Sequence, residues 1–230
     1  MTARHGQAGS GSIEGVVVRR VQPADREALQ SFYARLSEAS RYARFLGFSS
    51  GLSDTAARTF CTPDHMHVEG FVALVPEERG EQRLVGHLCL EPAGGPRLEL
   101  AVAVDDRYQG HGIGRRLMEA ALEWAQRHHF EAIIASAFAD NARVLSLLSS
   151  APFPAHLAPA DGGVVDVVIP LVPELLSDQP AVLPPDLLAS LRRRRPHHRP
   201  LTASRCSRVV WRGTRPPAHG AAGSASRGSS

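Results

Sequence analysis

A chain of 230 residues, 43% of them hydrophobic, is long enough to bury one substantial core, and it has no run of eighteen apolar residues of the kind a membrane helix needs. Its formal charge of +3 averages two unlike parts: residues 1–176 hold 16 Arg against 21 acidic residues, a net −5, and residues 177–230 hold 10 Arg against 2, a net +8. The chain has no lysine, which excludes a lysine-bearing phosphate loop, and its three widely spaced cysteines, Cys61, Cys89 and Cys206, argue against a disulfide framework.

Residues 1–14 read as a flexible start without an apolar stretch of signal-peptide length, so a cytoplasmic location is expected. Residues 16–21 form a first strand. Pro23-Ala24-Asp25 then opens a helix whose apolar positions Ala28, Leu29, Phe32, Tyr33 and Leu36 recur at helical spacing. Ser53 is placed to cap a second helix running to Cys61. Residues 70–75 and 83–90 read as two strands joined by a charged hairpin around Glu81, and residues 97–104 as a fourth strand. A helix over 112–128 follows, with Ile113, Leu117, Met118, Ala121, Leu122 and Ala125 on one stripe. A strand at 132–138, a helix capped by Asn141 and a last strand at 164–169 complete one folded domain, expected to span 15–173.

Residues 174–230 form a Pro-, Arg-, Gly- and Ser-rich tail with little periodic hydrophobicity; it should be disordered, with room for a short helix at 185–191. Its run Arg192 to Arg195 could neutralise nucleic-acid phosphates. The run lacks aromatic interleaving and a folded nucleic-acid module, so a solvated tail is the expected reading. The histidines of Asp64-His65-Met66-His67 have no third ligand at suitable spacing, so no metal is expected and the residues read as part of a surface loop.

The chemistry is concentrated between Leu98 and Trp124, where an apolar strand passes through a glycine-rich turn into an amphipathic helix. Gly110, Gly112 and Gly114 leave alternate residues of the turn without side chains. Backbone N–H groups there can close on an anion at the positive end of the helix, so a phosphorylated cofactor is expected. The glycines alternate, whereas a dinucleotide fingerprint spaces them Gly-x-Gly-x-x-Gly after a first strand.

Gln109-Gly110-His111-Gly112-Ile113-Gly114 resembles the Gln/Arg-x-x-Gly-x-Gly/Ala signature of the GCN5-related N-acetyltransferases. Asp140-Asn141-Ala142-Arg143-Val144 through Phe153 is similar to a later segment of that superfamily, with Pro152 replacing a glycine. Leu36-Ser37-Glu38-Ala39-Ser40-Arg41-Tyr42-Ala43-Arg44-Phe45, followed by Leu52-Ser53-Asp54, resembles the bacterial protein lysine acetyltransferases and the similar domains fused to acyl-CoA synthetases. The resemblance implies an α/β fold (α+β) with a mixed, mostly antiparallel sheet flanked by helices, whose fourth and fifth strands splay apart for the cofactor's pantetheine arm. It implies acetyl-CoA as the co-substrate.

On that reading, the amides of Gly110, His111, Gly112, Ile113, Gly114 and Arg115 hold the pyrophosphate, and the strand groups of Val102, Ala103 and Val104 pair with the arm. Gln109 closes the loop through its amide or is an exposed turn residue. Arg115 and Arg116 face phosphate or are solvated helix residues. Asn141 touches the arm or simply caps its helix. An acceptor ammonium of pKa about 10.4 must lose its proton before it attacks. Glu99 is the candidate base: it sits in an apolar strand and matches the glutamate of the similar lysine acetyltransferases, the alternative being an exposed polar strand residue. The N–H of Val102 could stabilise charge on the thioester oxygen. Many superfamily members carry a tyrosine where this chain has Leu148, so the general acid is unassigned. A protein lysine is the expected acceptor, with a small-molecule amine or a non-catalytic acyl-CoA-binding role as alternatives.

Overall fold

The computed structural model describes residues 13–150, 155–158 and 163–172. The readings made for residues 1–12, for Pro152, for the tail from 174 with its helix at 185–191 and its Arg run, and for Cys206 lie outside the described residues.

Strand β1 (Val17–Arg20) leads into a 3-10 turn at Pro23–Asp25 before helix α1 (Arg26–Arg35) begins. Asp25 fixes this corner: both of its carboxylate oxygens accept from Arg19 at 2.7 Å, and Oδ2 also accepts from the backbone of Gln22 at 2.7 Å. Helix α2 (Glu38–Phe45) follows at once, capped by the hydroxyl of Ser37, which accepts from Ser40 N at 3.1 Å. Ala39, Tyr42, Ala43 and Leu46 recur at helical spacing along α2, yet the side chain it buries most fully is Arg44. Helix α3 (Asp54–Cys61) begins at Ser53 as expected, with Ser53 Oγ accepting from Ala56 N at 3.2 Å.

The sheet then forms from β2 (Glu69–Pro76), β3 (Gln82–Pro92) and β4 (Arg97–Val104), crosses over through helix α4 (Ile113–Arg127) to β5 (Ala132–Phe138), and continues after helix α5 (Ala142–Ser149). The two-residue β6 (His156–Leu157) and β7 (Val164–Pro170) complete the order β1-β2-β3-β4-β5-β7-β6. Every neighbouring pair is antiparallel except β4 and β5. This is the mixed, mostly antiparallel sheet expected from the sequence.

Alternation along the strands feeds two cores. Leu98 and Leu100 of β4 and Ile133 and Ala135 of β5 point to one face, where α4 contributes Ile113, Leu117, Met118, Ala121, Leu122 and Ala125, the stripe read from the sequence. Leu29, Phe32 and Tyr33 of α1 with Ala56, Ala57 and Phe60 of α3 cover the opposite face, against Val72, Leu74, Cys89 and Ala103. A side chain at Gly86 would bring Cβ to 2.9 Å from Leu117 Cδ1, so the missing side chain lets α4 lie close on β3. No helix among the described residues is long and apolar enough to cross a membrane.

The parallel pairing of β4 with β5 covers three residue pairs only, from Arg97 opposite Ala132 to Glu99 opposite Ile134. Beyond Glu99 the two strands part. The rest of β4 keeps its partner β3 on one side, with Val102 opposite Leu88 and Val104 opposite Gly86, and among the described residues has no strand on the other.

Candidate active site

A cavity of about 1070 Å³ opens where the strands part. It exceeds the ~300–1,000 Å³ common for small-ligand pockets, as a site for a long co-substrate and an acceptor requires. Glu99 through Val104 line it from β4, Gly110 and Gly112 through Arg115 from the turn into α4, Asn141 from the start of α5, and Tyr42, Arg44 and Phe45 from α2. Nearly all of the site residues picked out in the sequence meet in this one space. His111 is in the same turn, though it does not line the cavity.

The turn presents backbone donors of the kind an anion takes. Gly110 and Gly112 have φ of 81° and 80°, a region that side chains disfavour, and a Cβ at either would meet open space. Gly114 is glycine for another reason: it lies inside α4, where a Cβ would come within 3.1 Å of Leu147 Cδ2 in α5. Arg116 N makes a helical bond to Gly112 O at 3.1 Å, which leaves the N–H groups of Ile113, Gly114 and Arg115 without an acceptor inside the helix. The side chain of Ile113 is buried in the core, so what it can offer a ligand is its backbone. With the helix dipole behind them, these amides fit a pyrophosphate, and the unpartnered edge of β4 beside them fits an extended amide-bearing arm.

Gln109 closes the loop. Its Nε2 donates to Val104 O at 3.1 Å and to Ser40 Oγ at 3.3 Å, while its Oε1 accepts from Arg143 Nη1 of α5 at 2.8 Å. The carbonyl of Val104 is therefore engaged by its own loop. Arg115 pairs with Glu119 at 3.0 Å, and Arg116 donates to Val16 O at 2.9 Å, so both arginines are held along or behind the helix. Asn141 Oδ1 accepts from Val144 N at 3.2 Å and so caps α5 while lining the cavity.

Asp106 was not singled out in the sequence, yet it joins the loop to α2. Oδ2 accepts from Ser37 N at 2.9 Å, and Oδ1 accepts from the hydroxyls of Ser37 and Ser40, each at 2.7 Å. Partial burial pushes the Asp106 carboxyl up, but the donors of Ser37 and Ser40 outweigh it and hold the group below the ordinary carboxylate value. The available signal was a serine three residues ahead of a second serine, both beyond the periodic part of α1, marking a helix start.

Glu99 occupies the apex of the fork, the last β4 residue paired to β5, and lines the cavity. It faces Glu91 across the β3–β4 ladder, and Glu91 is 5% exposed. Beneath the same face His87 is fully buried, 3.0 Å from Tyr33 Oη through Nδ1; burial, and secondarily the charge of Arg44, push it down to about 3, so it is neutral at physiological pH. Burial pushes the Cys61 thiol up to about 11, which leaves it inert as a nucleophile. Leu148 is buried in the core, so that position offers no proton donor; the phenols that line the cavity are Tyr42 and Tyr108. His65 and His67 sit in a surface turn, 2.9 Å from Glu69 and 3.4 Å from Asp64 respectively, and no group of three metal-ligating side chains occurs among the described residues.

The profile of the acetyltransferase (GNAT) family matches residues 26–150. An acetyltransferase of Pseudomonas aeruginosa is 33% identical over 150 residues, covering 64% of this chain and 78% of that protein. The GNAT domain of S. lividans PAT has the same fold, with a TM-score of 0.59 and 23% identity over 67% of this chain and 89% of that one. So does yncA of Salmonella typhimurium, solved with its cofactor acetyl-CoA: its TM-score is 0.56 and its identity 18%, over 74% of this chain and 100% of that one. The chain belongs to the GNAT family and is an acetyl-CoA-dependent N-acetyltransferase.

Proposed function

We propose that the chain acetylates lysine side chains of protein acceptors by direct transfer from bound acetyl-CoA, with Glu99 as the general base. The observation that carries this reading is the place of Glu99: it stands at the apex of the fork and lines the same cavity as the anion-binding turn. Glu99 accepts the ammonium proton, and the freed amine forms its bond to the acetyl carbon as the bond from carbon to sulfur breaks. The backbone N–H of Val102 stabilises the charge that develops on the thioester oxygen. The thiolate is a fair leaving group, and the second proton of the attacking nitrogen, lost as the amide forms, passes to it through water that enters the open cavity. Gly110, His111, Gly112, Ile113, Gly114 and Arg115 hold the pyrophosphate through backbone N–H groups, and Val102 and Val104, whose backbone groups face the open edge, supply a carbonyl and an N–H to the arm; those of Ala103, opposite His87, belong to the β3 ladder, so Ala103 only lines the cavity.

The acceptor reading is supported by the motif at residues 36–45 and 52–54 and by an open cavity mouth flanked by α2. Incubating the protein with acetyl-CoA and a cell lysate, then mapping new acetyl groups by mass spectrometry, tests it. Acetyl-lysine on other proteins is the expected result. Labelling confined to polyamines, amino acids or other small amines would sink it. Because this chain contains no lysine, self-modification on lysine side chains cannot contribute to the signal.

A further inference from the structure

Three aromatic rings from separate segments meet at the mouth of the cavity. Tyr42 of α2 stacks on Phe138 at the end of β5, with centroids 5.2 Å apart and planes 5° apart. Phe48, just beyond α2, meets Tyr42 edge-on at 5.1 Å and 63°. Neither Tyr42 nor Phe138 belongs to the apolar cores, and Phe48 is 81% exposed. One exposed ring is ordinary, but three in contact at the lip of a cavity make a recognition surface.

The charge around them selects the occupant. Phe138 and Ser136 share the sheet face of Ile134, hence of Glu99, and Ser136 Oγ donates to Asp166 Oδ1 at 2.6 Å across the β5–β7 ladder. Glu91, Glu99 and Asp166 thus lie on the face toward which α2 packs. Among the guanidiniums near this face, that of Arg44 is buried: it donates to Cys89 Sγ at 3.2 Å and lies over the rings of Phe45 and Phe60. An apolar wall leading to carboxylates suits a long apolar stem ending in a cation. A lysine side chain has that form. A short amine reaches the carboxylates without covering the rings, and Phe48, projecting outward, can touch only what lies beyond the acceptor side chain.

We propose that Tyr42, Phe48 and Phe138 form the acceptor wall, which packs on the four-carbon stem of a lysine and on the polypeptide flanking it and so sets acceptor selectivity. The proposal rests on the protein-lysine reading above. The full chain is assayed with acetyl-CoA on a lysine peptide taken from a labelled lysate site, with spermidine and free amino acids as small acceptors. In Phe48→Ala and Tyr42→Leu the peptide KM rises about tenfold, while kcat and the KM for acetyl-CoA stay within about twofold. Phe48→Trp and Tyr42→Phe, which restore the rings, keep the original peptide KM. Phe48 is exposed, so its removal does not threaten folding. Lysine peptides turned over with a KM unmoved by both truncations overturn the wall and leave the protein-lysine reading standing. A rise confined to the acetyl-CoA KM overturns it as well, by assigning the rings to the co-substrate. Turnover of small amines with no lysine peptide accepted overturns both.

Discussion

The two sides of the cavity are made in different ways. The proposed co-substrate side is backbone: a strand edge that pairs with no described strand, two glycines at positive φ and the first turn of α4, positioned by apolar packing behind them. The proposed acceptor side is side chains: the rings of Tyr42, Phe48 and Phe138, the carboxylates of Glu91 and Glu99, and an α2 tied down by hydrogen bonds to Asp106. A backbone site changes little when surface residues are exchanged, so one loop serves many relatives. A side-chain site is rewritten by single substitutions, and this is where one member of a fold acquires its own acceptor.

Glu99→Gln should have the largest effect and breaks the acceptor side without touching the other. Loss of the base lowers kcat by about 10²–10⁴-fold, measured as CoA release across pH, with acetyl-CoA affinity unchanged by calorimetry. Full turnover in this variant would remove Glu99 from the chemistry. Gly112→Val is the reciprocal lesion. A β-branched residue at positive φ costs about 1–3 kcal/mol, which the turn, with open space around Gly112, escapes by relaxing and must incur again to bind, so acetyl-CoA should bind some tenfold to a hundredfold more weakly while the unfolding midpoint moves only modestly. An unchanged dissociation constant would show that the turn does not hold the pyrophosphate.

Asp106→Asn probes the join between the sides. Removing a charged acceptor from Ser37 and Ser40 loosens the start of α2 and should cost roughly 1–2 kcal/mol in urea unfolding, with the acceptor KM rising a few-fold. Because the folded carboxyl sits below its unfolded value, this contribution is present above the unfolded pKa, near pH 4, and is lost as pH falls through the folded one. His87 gives the smallest effect at neutral pH and a sharper one in acid. Its folded pKa, about 3, lies below its ordinary value of 6.5, so the unfolded chain binds the proton first. Stability should fall from pH 6.5 toward pH 3 by up to about 1.4 kcal/mol per pH unit, and His87→Gln should flatten that slope.

The strand, glycine turn and helix that frame the proposed co-substrate side were legible in the sequence, because a backbone site needs glycines at fixed spacing with a strand and a helix on either side. Residues 97–104 and 132–138 show their strands by alternation and end where the structure ends them. Asn141 could be read as a cap without the fold. The acceptor side left weaker marks. The side chain that α2 buries most fully is a charged one, Arg44, and its burial depends on Phe60 and Cys89, 16 and 45 positions away. The contact of Asp106 with Ser37 spans 69 residues, and the stack of Tyr42 on Phe138 joins α2 to β5. Such pairs form through topology, which local pattern does not carry.

The short seam between β4 and β5 bears on how the molecule holds together. Three residue pairs and the helices packed across them join a four-stranded sheet to a three-stranded one. A ligand that lays its own amides along the open edge of β4 lengthens that seam and acts as a stitch. Occupancy should therefore raise the unfolding temperature by mass action and slow amide exchange in β5 and β7 together, although β7 lies one strand beyond the gap.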